Sequence, residues 1–547
     1  MSRSGCPEWK LAARLRDRTR GSDRPGRPSR SPAAGQSRRG VALVIVMVIV
    51  MMLSLAAYGY NHQMITAYRL SRQHTERAQA RLAALSGIEA MLALADLPEP
   101  IRQQRLQDER SFRGQLASGN GVFGGAEADE SWSFAVVAPR FSAEEPSRSD
   151  PPWRFGLAHE SAKLNVPMLR RQERLFPGHA RRTLLGLPGA TVADVDAFLA
   201  EQKLLPAPTR RDLQAELSER TAADPGDPTA RVARLWTGGD WDHNERIERL
   251  ERMVSAAAAP SVAGAETTSV ASVAASHAWR NYLTFHSGRR NVNRDGRPRI
   301  DLNAANLPGL HRELSALWSE EHADFVILAR QYGSVSSPPS APTSGDVAAD
   351  KPAIDFGRAA INRLATPLDL IGVAVRLPGS GSAVRWVLSP FREPAETGQL
   401  DLTSLVDDVT TESAAVLNGQ IDILRAPAEV LMGIPGMTTS LAARVVESRQ
   451  AAAADTATSP TIAWLVTRQV ISLGTLRAWY PWITVGGDCF GGQAIGYRDS
   501  LSPLFRTTFV IDARYGAARI GRFQHWHGWG HGFDIRQLRG DAPSAVP

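Results

Sequence analysis

The sequence predicts an α+β protein that starts on a single membrane helix, and three observations predict it. First, Val41 to Ala57 is an apolar run broken only by Ser54. Second, short alternating or β-branched segments occur early, at Glu130–Leu157, and again late, at Trp482–Trp526, as expected of an antiparallel sheet. Third, the long stretch between them has helical spacing and holds two Pro-Gly hairpins, Pro188-Gly189 and Pro435-Gly436. The predicted order is therefore transmembrane and stalk helix, strands, a large all-helical segment with helix-hairpin-helix-like units, and strands again.

Length and charge bound the function. With 547 residues, 43% of them hydrophobic and 22% charged, the chain can bury a sizeable core and is expected to form several domains. The formal charge of +7 suggests a nucleic-acid partner until it is located. Residues 1–40 carry eleven Lys or Arg against three Asp or Glu, a net +8, which leaves about −1 for everything from Val41 onward. The body thus has no net charge to draw it to DNA. Cys6 and Cys489 lie on opposite sides of the apolar run, which excludes a disulfide framework.

Taken in order, 1–40 is a basic leader rich in Arg, Ser, Pro and Gly, of disordered composition. Residues 41–60 form the transmembrane helix. At about 1.5 Å per residue the run reaches roughly 30 Å, a bilayer's hydrocarbon thickness. Arg38-Arg39 mark its cytoplasmic end, and Tyr58 and Tyr60 mark the far interface. Residues 61–97 have no Pro and one further Gly, with Leu82, Leu85, Ile88 or Glu89 and Leu92 at helical spacing, and form a stalk helix ending before Pro98. The stretch 98–162 supplies Glu130–Val137 and its hairpin partner Trp153–Leu157. The helical segment is 163–479, and 480–547 supplies the closing strands, Trp482–Val485, Ala494–Tyr497, Arg506–Ile511 and Arg519–Trp526. Val335–Pro352, Ser255–Ala275 and Ala451–Ser459 have loop or low-complexity composition.

The junction Arg38-Arg39-Gly40-Val41 resembles the type III signal of pilins and pseudopilins. By that resemblance a prepilin peptidase cuts between Gly40 and Val41, whereas an ordinary signal anchor, or a secretory signal cut after Ala56, reads the same apolar run differently. Most pilins carry Glu at the fifth mature position, which here is Ile45, and its absence is typical of the K subunit of the type II secretion system, general secretion pathway protein K (GspK). Further segments resemble the GspK family. They are Ala84-Leu-Ser-Gly87-Ile-Glu89 in the stalk, Glu160-Ser-Ala-Lys163-Leu-Asn165, the Asp301-Leu-Asn-Ala304 segment, and Ile421-Asp-Ile-Leu-Arg-Ala426-Pro-Ala-Glu429-Val-Leu431. The second Asn of the E-x-x-K-x-N-x-N pattern is Pro167 here. The resemblance implies that the early and late strands join in one pilin-like sheet with the helical segment inserted. It also implies an inner-membrane, single-pass protein with its bulk in the periplasm, in the company of the I and J minor pseudopilins, the major pseudopilin, the prepilin peptidase and the inner-membrane secretion platform.

Leu184–Phe198 and Leu431–Val445 share helix, Pro-Gly turn, Thr cap and second helix. Such units often bind DNA through the amides of the second helix and nearby cations. Neither Gly189-Ala-Thr191 nor Gly436-Met-Thr438 has a basic neighbour within the hairpin, so no nucleic acid is expected. The alternative reading is a single-pass envelope protein whose hairpin units bind DNA. Asp240, Asp242, Asn244, Glu248 and Glu251 fall at EF-hand-loop spacing and make a candidate calcium site, with Glu245 in place of the usual Gly, and Asn291–Gly296 repeats the first half of such a loop. Some GspK proteins carry structural calcium. His525, His527 and His531 cluster near the C-terminus without a Cys or carboxylate at ligand spacing. No nucleophile-elbow, phosphate-loop or H-E-x-x-H motif occurs, and the chain reads as a non-enzyme.

Overall fold

The computed structural model describes residues 38–117, 131–140, 153–204, 236, 278–335, 354–378, 384–392, 400–453, 461–498, 503–526 and 532–539. The chain divides into two units, Met1–Arg72 and Gln73–Pro547. One helix of 58 residues, Arg38–Ala95, runs through the boundary between them. It contains no proline, and it ends where Leu97 donates back to Leu94 and Pro98 withdraws the next amide. Its membrane half is bare: the apolar side chains from Leu43 to Tyr60 are exposed, and among the described residues this is the one helix long and apolar enough to span a bilayer.

The second unit is built on a seven-stranded antiparallel sheet of β1 (Gln115–Leu116), β2 (Ser133–Pro139), β3 (Trp153–Phe155), β4 (Ala158–His159), β5 (Cys489–Tyr497), β6 (Phe505–Asp512) and β7 (Arg519–Trp526). Early and late strands do pair: Gln493, Ala494 and Ile495 of β5 face Val137, Val136 and Ala135 of β2. The predicted partnership of β2 with Trp153–Phe155 also holds. Period-two alternation gives the sheet two apolar faces. On one, Phe134, Val136, Phe490, Ala494 and Phe509 pack with Ala80, Ala84, Ile88 and Met91 of the stalk. On the other, Ala135, Val137, Ile495 and Tyr497 meet Trp153 and the C-terminal helix Ile535–Arg539.

The intervening segment forms the largest core, from Leu164 to Ile483. Both hairpins have the predicted form. His179–Leu185 and Val192–Leu204 flank Gly189 (φ 70°), and Ala428–Leu431 and Thr439–Ala453 flank Gly436 (φ 80°). These left-handed turns are open to Gly at little cost.

Two expectations need correction. The segment 163–479 is not all-helical, because it holds the hairpin Ala374–Pro378/Val384–Leu388 and further two-stranded ladders such as Gly288–Arg290/Val416–Asn418. Strands of two or three residues carry too few side chains to show a period of two. Trp482–Val485 also does not join the main sheet. Ile483–Thr484 runs parallel to Ile421–Asp422, where its apolar side chain completes the inner core.

Candidate functional site

The predicted processing junction Gly40-Val41 lies in the first turn of the long helix, and Ile45 lies one turn further in, 52% exposed on a surface that has only apolar neighbours. Such a rod has no aqueous partner. Each exposed Leu, Ile or Val is worth about 1.5–3 kcal/mol once removed from water, which makes the helix compatible with single-pass membrane anchoring.

In the second unit, Glu160 ties the end of β4 to the intervening segment, while Asn165 and Asp422 fix backbone within that segment. Glu160 Oε1 accepts from Lys163 Nζ at 2.7 Å, and its Oε2 accepts from Thr284 Oγ1. Asn165 caps the helix Val166–Leu175, its Oδ1 accepting from Met168 N at 3.0 Å, while its Nδ2 donates to Ser287 Oγ at 2.9 Å. Pro167 is compatible here because an amide in the first helical turn has no partner within the helix. Asp422 is fully buried, with Oδ1 accepting from Leu424 N and Oδ2 from Arg425 Nη1, both at 3.0 Å. These polar residues position backbone rather than substrate.

Both hairpin units contribute to the same core, and the Gly433 carbonyl of the second meets the first unit and the helix before it. Gly433 O accepts from Gln172 Nε2 at 3.1 Å and lies 3.0 Å from His179 Nε2. Thr191 Oγ1 accepts from Asp194 N, and Thr438 Oγ1 from Leu441 N, each at 3.3 Å. Each second helix thus begins with one amide capped by a threonine hydroxyl.

Asp240, Asp242, Asn244, Glu248 and Glu251 lie outside the described residues, as do His527 and His531. The second loop is described, and the side chains of Asn291 and Asn293 are hydrogen-bonded to protein groups. Asn293 Oδ1 accepts from Asp295 N and Arg297 N, Asn293 Nδ2 donates to Asp408, and Asn291 Nδ2 donates to the carbonyls of Glu412 and Ala414. The loop is a hydrogen-bonded turn with Gly296 at φ 79°. Among the described residues no group of three His, Cys, Asp or Glu side chains converges as metal ligands. His525 stacks edge-on to Phe523 and Phe505, with ring centroids 4.3 and 5.1 Å away. Cys489 is a free, buried thiol whose pKa burial pushes up, which makes it unreactive.

His159, on β4, is the buried titratable group with the clearest consequence. Its ring lies 5.0 Å from that of Phe490, and its Nδ1 has no hydrogen-bond partner. Desolvation, helped by the charges of Arg425, Arg102 and Arg154, holds its pKa well below 6.5. The folded state therefore keeps His159 neutral while the unfolded state takes up a proton below about pH 6.5, so stability falls as pH drops through that value. The slope from this one group approaches about 1.4 kcal/mol per pH unit. Urea midpoints measured at pH 7.5, 6.5 and 5.5 should fall accordingly in wild type, and His159→Leu should flatten the dependence.

Sequence reading missed Arg102, Asp488 and Gly496. Only the last left a signal, since Gly491, Gly492 and Gly496 all fall within β5, and glycine inside a strand marks close backbone approach. Comparison of the chain with protein-family models, with curated proteins and with solved structures returns no match.

Proposed function

We propose that this chain is a minor pseudopilin of a type II secretion system, a K-type subunit at the tip of the pseudopilus that helps start or cap its assembly for protein export. One observation carries the reading. A bare, membrane-length helix continues without a break into a stalk packed on an antiparallel sheet, whose strands come from both sides of a long intervening segment. The motif segments at Glu160–Asn165 and Ile421–Leu431 support it by sitting where that segment meets the sheet strands or closes its own core.

In this reading the prepilin peptidase cuts after Gly40, and the mature chain stays in the inner membrane with its bulk in the periplasm. In pilins, a fifth-position carboxylate pairs with a neighbour's N-terminal amine inside the apolar bundle. A tip subunit has no neighbour above it, and an unpaired carboxylate in that medium is costly, so Ile45 suits the outermost place. The I and J minor pseudopilins, the major pseudopilin and the secretion platform are the partners of this reading. DNA is not one of them in this reading, because neither Pro-Gly turn holds a basic residue and the body carries no net positive charge.

N-terminal sequencing of protein extracted from membranes of cells with an active prepilin peptidase tests the reading. Wild type should begin at Val41, and Gly40→Val should remain full length. Wild-type protein that keeps its leader in those cells would refute the proposal.

A further inference from the structure

The second unit contains a cavity of about 560 Å³, which Asn165 and Asn293 of the segments above help to line. This volume is in the range of small-molecule sites. Met168, Val406, Val416, Ile462 and Trp482 give it an apolar side, and Arg289, Arg294 and Arg299 give it a cationic one.

The three arginines are not equivalent. Arg289 is tied down, Nη1 donating to Thr484 Oγ1 at 3.1 Å and Nη2 to Val292 O at 3.2 Å. Arg294 Nε donates to Asp407 Oδ2 at 2.6 Å. The Arg299 side chain is only 7% exposed, yet its Nη2 stands 3.8 Å from Asp407 Oδ1, beyond hydrogen-bond reach, and its Nε has no partner. A buried guanidinium left this way carries a desolvation cost that a hydrogen-bonded anion would relieve. Burial and the charge of Arg289 bring its pKa down to about 10, so it remains a cation at neutral pH. Across the whole lining, Arg171, Arg289, Arg294 and Arg299 face Glu99, Asp407 and Glu412, an excess of one positive charge.

We propose that this cavity binds an organic anion, a carboxylate or phosphate joined to an apolar body, with Arg299 as the principal anchor. The terminal N–H groups of a guanidinium pair with an oxygen of either group, and the apolar wall takes the body. Asp407 competes with the ligand for Arg299 and sets the affinity low. The inference stands on the cavity and is independent of the pseudopilin reading.

Isothermal titration of the full-length chain in a neutral detergent tests it. The probes are benzoate, phenyl phosphate, inorganic phosphate and the uncharged methyl benzoate. Saturable binding is expected for benzoate or phenyl phosphate, and the tighter of the two identifies the head group. Inorganic phosphate should bind at least tenfold more weakly and methyl benzoate not at all. Arg299→Met should weaken binding at least tenfold, while Asp407→Asn should tighten it several-fold, an opposite change that general loss of structure does not produce. The proposal is overturned by no saturable heat with either aromatic anion, by equal binding of benzoate and its methyl ester, or by unchanged affinity in Arg299→Met. Because the ester comparison uses wild type, the test holds even where a variant fails to fold.

Discussion

Gly496→Ala is expected to destabilise the second unit by about 3 kcal/mol, the upper end of what overpacking a well-packed site costs. Gly496 sits in β5 opposite Phe134 of β2 and Phe505 of β6, so the strand is held from both sides and cannot shift. Above it the stalk crosses so closely that an added Cβ would collide with the Ala80 carbonyl oxygen and lie 2.7 Å from Ala84 N. Those are helix backbone atoms rather than the flexible end of a side chain. Relief requires lifting the stalk, which opens the contacts of Ala80, Ala84 and Ile88 with the sheet. Gly87→Ala should cost less, because its added Cβ meets the Phe134 ring at 2.8 Å and a ring can turn. Gly474→Ala is the control: its nearest neighbour is Ser472 Oγ at 3.8 Å and it lies inside the helix Leu473–Trp479, so it should be neutral or stabilising by about 0.5 kcal/mol. Urea unfolding of the full-length variants in one detergent measures all three. An unfolding midpoint for Gly496→Ala equal to that of wild type would show that the helix does not rest on the strand.

The elements that were legible in the sequence are those whose signal is carried by many consecutive residues. The apolar run and the stalk's helical spacing predicted one helix, and it extends from Arg38 to Ala95. The two Pro-Gly turns with their Thr caps were legible because Gly at positive φ and Thr at an N-cap are local requirements that local residues must meet. The alternation in β2 and the short, turn-separated β-branched character of the segments in β5, β6 and β7 were likewise readable strand by strand. The two-residue ladders were not, since pairs such as Leu164–Asn165 with Leu283–Thr284 are specified by burial of their neighbours rather than by their own pattern. Gly40, Val41 and Ile45, the residues of the proposed junction, are marked in the sequence by the charge-to-apolar boundary beside them. Arg299 and Asp407 are 108 positions apart and meet only in the fold, so nothing in either local sequence marks them.

Asp488→Ala is expected to cost about 3–5 kcal/mol, the range for removing one partner of a buried ion pair and leaving the other charged. Asp488 precedes β5 and is 5% exposed. Its Oδ1 accepts from Arg102 Nη2 at 2.9 Å, its Oδ2 accepts from Arg290 N at 2.7 Å, and Arg290 Nη2 stands 3.6 Å away. One carboxylate therefore joins the helix Glu99–Gln107 from the early chain, the strand Gly288–Arg290 from the intervening segment, and the late strand β5. Its own backbone adds to the junction, with Asp488 N donating to Gly288 O at 2.9 Å and Ala513 N donating to Asp488 O at 2.8 Å. In Asp488→Ala, Arg102 keeps the Ala95 carbonyl at 3.2 Å and the face of the Phe490 ring but no counter-charge from Asp488, while its side chain stays 4% exposed, so the cost is that of a buried cation without its carboxylate. Asp488→Asn preserves an acceptor and loses the charge, and should cost about 1.5–3 kcal/mol. Arg102→Met combined with Asp488→Ala removes both charges and should be less damaging than the sum of the single changes, which a double-mutant cycle of urea midpoints measures directly. Strict additivity would mean that Arg102 and Asp488 do not act as a pair, and that the early helix is held to the sheet by apolar packing alone.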